Sequence, residues 1–124
     1  MDIILSVKSK YLKRIYGGTK GIEIRKQVPR LLNPNDIVWF YESGKGLITG
    51  FGRYHSSVVM TPKEALEKYR VEMDVTETEF WNYVGDATEV ALLIFKWVAN
   101  LNTKIPLSNF GLKRPPQSYC YIEY

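Results

Sequence analysis

Apolar and polar positions alternate along much of this chain with the period of a strand, and glycines and capping residues cut the pattern into short elements. Ile3 to Val7 is an apolar run with β-branched residues and predicts a buried strand. Ser9 caps a predicted helix over Lys10 to Tyr16, with Leu12, Ile15 and Tyr16 turned inward and Gly17 as its left-handed stop. Between Gly21 and Lys26, Ile22 and Ile24 fall on one face of a strand and Glu23 and Arg25 on the other. Pro29 and Asn33-Pro34-Asn35-Asp36 mark a loop and a turn. Ile37 to Tyr41 is a strong strand signal, closed by Ser43-Gly44-Lys45-Gly46 as a hairpin turn. Leu47 to Val59 continues as a strand that Gly50 and Gly52 bend or bulge.

Two helices with clear starts follow. Thr61-Pro62-Lys63-Glu64 supplies a cap, a proline at the first helical position and an acid three residues on, and Glu64 and Lys68 pair at i,i+4. Thr76-Glu77-Thr78-Glu79 repeats the capping box before Phe80 to Val84, and Gly85 ends that helix. Val90 to Trp97 predicts a long central strand, Pro106 to Phe110 a helical turn, and Ser118 to Tyr124 the last strand. The pattern is α+β: a sheet of about six strands with one helix early and two in the middle. Closing such a sheet into a small barrel would remove its exposed edges.

At 124 residues, with 45% hydrophobic and 24% charged side chains, the chain is expected to be a single domain, 1–124, of ordinary globular composition. Cys120 is the only cysteine and the N-terminus lacks the charged-then-apolar order of a signal peptide, so a cytoplasmic setting is expected. The longest apolar run, Val90 to Phe95, is too short to span a bilayer. Net charge is +4, yet residues 1–30 hold eight bases against two acids while residues 60–90 hold three bases against eight acids. The basic third would attract phosphates if it forms one face; solvated, solubilising surfaces are the simpler reading of both blocks.

With His55 the only histidine, no soft-metal cluster can assemble, and no metal or cofactor is expected. Gly44-Lys45-Gly46 lacks the remaining residues of a P-loop, and no dinucleotide fingerprint occurs. The Glu23–Arg25 face beside Lys20 has two readings: a charge pair on solvated strand, or the wall of a site.

Several segments in order resemble the ASCH domain of the PUA-like superfamily. They are Leu5-Ser6-Val7-Lys8, Gly17-x-x-Lys20-x-x-Glu23-x-Arg25-Lys26, Tyr41-Glu42-Ser43 before Ile48-Thr49-Gly50, and Pro115-Pro116-Gln117-Ser118-Tyr119. The resemblance implies a PUA-like small β-barrel with flanking short helices, and a cleft where the lysine, the glutamate–arginine strand and the proline-glutamine-serine segment converge. It also implies binding of RNA or a modified nucleoside. Lys8 and Lys20 then lie near the cleft, and Arg25 suits phosphate or a base edge through its planar fork. Glu23 accepts from an exocyclic amine or sets the charge of Lys20. Gln117 and Ser118 reach a base edge, or form only a rigid loop into the last strand. Tyr41 offers a stacking face or a hydroxyl, or is a core tyrosine beside Trp39.

Some similar proteins remove an acyl group from modified cytidine using a lysine, a threonine three positions on and a distal glutamate; others are ribonucleases. Here Lys20 matches the lysine, but Glu23 stands at the threonine's place and would change the chemistry. Glu72 and Asp74 lie in the region of the distal acid. If the chain is an enzyme, Lys20 and Glu23 are the expected catalytic pair. A protein-interaction role in transcriptional control is the remaining alternative.

Overall fold

A computed structural model describes all of residues Met1–Tyr124. The order is β1 Ile3–Lys8, α1 Ser9–Tyr16, β2 Ile22–Arg25, β3 Ile37–Ser43, β4 Leu47–Met60, α2 Pro62–Met73, α3 Glu77–Val84, β5 Val90–Ile105, a 3-10 turn Leu107–Phe110 and β6 Tyr119–Tyr121. The six strands form one curled sheet in the order β2-β5-β4-β3-β1-β6. β1 runs parallel to β3; every other neighbouring pair is antiparallel. The sheet curls towards the small barrel expected from the sequence, but its ladder stays open between the edge strands β2 and β6.

Sequence alternation becomes two buried faces. Ile3, Leu5 and Val7 of β1 join Val38, Phe40, Tyr54, Ala91 and Leu93 under Leu12 and Ile15 of α1. On the opposite face, Ile4 packs with Ile48, Leu107 and Ile122, with Trp39 and Tyr41 against them. At the β2 end, Ile22, Ile24, Val90 and Leu92 are covered by Ala65, Leu66 and Met73 of α2 and Phe80 and Val84 of α3. Each such large side chain removed from water contributes about 1.5–3 kcal/mol.

Both capping boxes form: Thr61 with Glu64 and Thr76 with Glu79. The first helix starts differently from the expectation. Ser9 is its first residue rather than its cap, and its hydroxyl donates to the Ser43 carbonyl at 3.0 Å, tying the helix to the end of β3. Gly17 is right-handed (φ −75°), and the left-handed residue is Gly18 (φ 84°). β5 runs eight residues past Trp97, because β4 is long enough to pair with it to Ile105. The final strand is short, only Tyr119–Tyr121. Gly50 is where the expected bend lies, and the reason is contact: a Cβ there would overlap the Tyr16 hydroxyl and the Ala99 carbonyl.

The oppositely charged blocks of the sequence meet. Glu79, at the third position of α3, accepts from the Thr76 backbone N–H at 2.9 Å and from Arg14 Nη1 and Nη2 at 2.8 and 3.2 Å, and Lys10 Nζ stands 3.1 Å away. The Arg14 guanidinium foremost, then the Thr76 N–H, holds the Glu79 carboxyl well below the usual carboxylate range. This fork docks α3 on α1.

Two outcomes follow from this packing. Gly50→Ala should lower stability by about 1–3 kcal/mol through overpacking, read as a lower midpoint in urea at unchanged slope. Glu79→Gln should cost about 1 kcal/mol at neutral pH, the scale of a charge-assisted bond at a partly solvated site. A depressed folded-state pKa contributes stability above the unfolded value of about 4.3 and loses it as pH falls below that value. The gap between parent and Glu79→Gln should therefore be full at neutral pH and close on acidification in a series of denaturation curves.

Candidate functional site

Lys20 is placed by a chain reversal pinned at both ends. The backbone N–H groups of Thr19 and Lys20 both donate to the Arg14 carbonyl at 3.1 Å, while that of Gly21 donates to the Glu72 carbonyl at 2.9 Å. Asp74, in the left-handed region at φ 44°, accepts from the Thr19 hydroxyl at 2.6 Å. Held between α1 and the end of α2, Lys20 is only 3% exposed. Its Nζ donates to the Met73 carbonyl at 2.6 Å and lies 3.8 Å from Glu23 Oε1. Burial pushes the Lys20 amine below its ordinary value, and the Glu23 carboxylate opposes that shift.

β2 carries the other charges. Glu23 pairs in register with Leu93 and Arg25 with Ala91, so both share the sheet face of the α1 core, while Ile22 and Ile24 face α2 and α3. Arg25 Nη2 donates to Glu23 Oε2 at 2.8 Å and to the Ser6 carbonyl at 2.6 Å, and Nη1 donates to Ser118 Oγ at 3.2 Å. One guanidinium thus bridges the open side of the sheet, from β2 to β1 and to the segment entering β6. Its Nε is buried without a partner. On the far side of the gap, where β1 pairs with β6, the Ser6 hydroxyl donates to the Pro116 carbonyl at 2.6 Å and the Ser6 N–H to the Ser118 carbonyl at 2.9 Å.

These groups border a cleft of about 700 Å³, within the range typical of small-molecule sites. Lys8, Lys20, Glu23, Arg25 and Gln117 all line it. Ser118 sits at its edge, on Arg25. Tyr41 does not belong to it. That side chain packs with Ile4 and Ile48 on the opposite face, beside Trp39, because the strand alternation that turns Phe40 inward turns Tyr41 outward. Glu72 and Asp74 also lie outside: Glu72 offers a backbone carbonyl, and the Asp74 carboxylate is engaged by Thr19. The acid that this region does bring to the wall is Glu79.

The cleft gathers residues the sequence reading passed over: Tyr11 of α1, Asn82 and Tyr83 of α3, and Lys26. Their signal was present in part, since burying Phe80 and Val84 at i,i+4 turns Asn82 to the opposite side of α3 and leaves Tyr83, three residues after Phe80, at the flank of the buried stripe. Lys10, Arg14 and Lys20 lie 4.9, 5.4 and 5.7 Å from the Tyr11 ring centre, and Lys26 is 5.7 Å from that of Tyr83. Five basic side chains (Lys8, Lys10, Lys20, Arg25, Lys26) face two acids, Glu23 and Glu79. Lys8 and Lys26 are exposed and make no ion pair, so their charges are free to meet a ligand. No three His, Cys, Asp or Glu side chains converge as a metal site would require, and no helix is long and apolar enough to cross a membrane.

No protein-family model and no curated protein matches the sequence. Solved structures do match. The ASCH protein of Zymomonas mobilis superposes with a TM-score of 0.87 at 19% identity, over 98% of this chain and 87% of that one. A single-substitution variant of it gives 0.87 at 18%, over 98% and 88%. A hypothetical protein matches with a TM-score of 0.56 at 21% identity, over 82% of this chain and all of that one. The resemblance carried by the lysine turn, the glutamate–arginine strand and the proline-glutamine-serine segment thus extends to the course of the whole backbone, and the chain has the fold of the ASCH domain.

Proposed function

We propose that the cleft binds a nucleotide unit of RNA or a modified nucleoside. The observation that carries this reading is the convergence of cationic, aromatic and amide side chains from distant segments on one hollow of about 700 Å³. Lys8 and Lys26 at the rim meet phosphate as mobile point charges. Tyr83, 40% exposed, offers a ring face for stacking. Gln117, exposed at the mouth, presents both an acceptor and donors to a base edge. Arg25 acts differently from the sequence expectation. Its terminal nitrogens are already held by Glu23, Ser6 and Ser118, so it fixes the wall against which the ligand lies.

A second reading, hydrolysis of acylated cytidine or RNA, is favoured by one feature: a buried lysine, its amine pushed below the usual range, on the floor of the cleft. Glu23, in place of a threonine, supplies a carboxylate base rather than a hydroxyl nucleophile.

The test is a thermal-shift and calorimetric panel of nucleosides, nucleoside monophosphates and acylated cytidine. A ligand that binds only the folded state raises the melting temperature. Phosphorylated members should shift it most, and Lys8→Ala with Lys26→Ala should weaken them about tenfold, equivalent to about 1.4 kcal/mol. If no compound shifts the melt at low salt, or the double variant binds like the parent, the binding reading is lost. Turnover of acylated cytidine that disappears in a folded Lys20→Met variant would select hydrolysis instead.

A further inference from the structure

A second hollow, of about 370 Å³, lies on the other side of α1. Ser9, Lys13 and Tyr16 recur at i, i+4 and i+7 and so form one stripe of the helix facing it, whereas Lys10 and Tyr11 face the first cleft. Its remaining wall is Glu42, Lys45, Asn100 and Lys104. Three lysines and one carboxylate therefore line it. Glu42 is 6% exposed, with Lys45 Nζ 3.6 Å from Oε2, and Lys13 is exposed and in no ion pair.

Lys104 is brought there by a bulge. Gly50 pairs with Asn100 but Ile48 pairs with Ile105, so β5 spends extra residues against β4, and Lys104 Nζ turns back to Asn100 Oδ1 at 2.8 Å. The Tyr16 hydroxyl, 2.8 Å from Thr49 Oγ1, is pushed up to about 12 by burial and keeps its proton.

The two hollows are next to each other along the chain. Lys8 lines the first and Ser9 the second; Ser43 lines the first and Glu42 the second. The Ser9–Ser43 hydrogen bond is the ridge between them. They differ in character: Tyr11, Phe80 and Tyr83 give the first an aromatic wall, while the second is almost wholly polar and cationic. Such a surface recognises phosphate better than a base.

We propose that the second hollow holds the phosphodiester backbone of the same strand whose nucleotide occupies the first cleft, making the ligand a single-stranded oligonucleotide that crosses the start of α1. This rests on the reading of the first cleft given above and names its ligand class. A free nucleoside would fill only the first hollow. A strand would use Lys8 at the ridge and then Lys13, Lys45 and Lys104 in turn.

The experiment compares uridine monophosphate with end-labelled oligouridylates of two to eight nucleotides by calorimetry and fluorescence anisotropy. The parent is set beside a Lys13→Ala, Lys45→Ala, Lys104→Ala triple variant. A control triple, Lys63→Ala, Lys68→Ala and Lys113→Ala, removes the same charge at exposed positions outside both hollows. Affinity should rise more than tenfold from one nucleotide to about four. The first triple variant should lose that gain, keep the affinity for the monophosphate, and lower the salt slope by about 2, given about 0.7 per phosphate contact on a single strand. The control should keep the gain. Monophosphate binding with no gain in length, equal losses in the two triple variants, or polyglutamate bound as tightly as the octanucleotide would overturn this inference alone. Binding of neither monophosphate nor oligonucleotide would overturn the reading of the first cleft with it.

Discussion

The structure turns on a buried row of charges, Lys20–Glu23–Arg25. A charged group taken out of water is destabilising unless opposite charge and hydrogen bonds replace its hydration. Here each replacement comes from a different part of the chain. Met73 at the end of α2 gives its carbonyl to Lys20, and Ser6 of β1 gives its carbonyl to Arg25. Ser118, just before β6, gives its hydroxyl. The sheet has no backbone pairing between β2 and β6, and this row links the two sides in its place. A hydrogen-bonded ladder there would have zipped the sides shut. Side-chain bonds join them only at one level and leave a hollow beside the join.

Partition of charge follows the same logic. The basic N-terminal third is not one uniform surface. Lys10 and Arg14 share the single carboxylate of Glu79, which couples α1 to α3 and stands in the wall of the cleft. Lys8 and Lys26 remain unpaired at its rim, and Lys13 at the neighbouring hollow. These free charges border concave walls, where charges lose least of their field to water.

Close backbone approach sets where α1 lies. Gly50 lets the Tyr16 hydroxyl and the Ala99 carbonyl come within a distance that a methyl group would forbid, and the register of β4 against β5 shifts beside it. That contact fixes the end of α1, while the Ser9–Ser43 bond fixes its start. The two hollows are the spaces left on either side of a helix anchored at both ends.

Local chemistry decided much of this from the sequence alone. The capping boxes at Thr61 and Thr76, the hairpin at Gly44–Gly46 and the strand runs at Ile3, Ile37 and Val90 depend on neighbours within a few residues, and each formed where the pattern put it. The ordered series of short motifs carried the fold. Alternation in β2 was equally legible, but not its sense: Ile22 and Ile24 lie beneath α2 and α3 while Glu23 and Arg25 face inward. A period of two states that two faces differ; only the layers packed on a sheet say which face meets water. For the same reason the sequence left both readings of Tyr41 open, and only the packing of β3 put it beside Trp39; Tyr11, Asn82 and Tyr83 were missed. Their place in the cleft comes from helices docking over a sheet whose closest partners are distant in sequence, and no window along the chain contains that information.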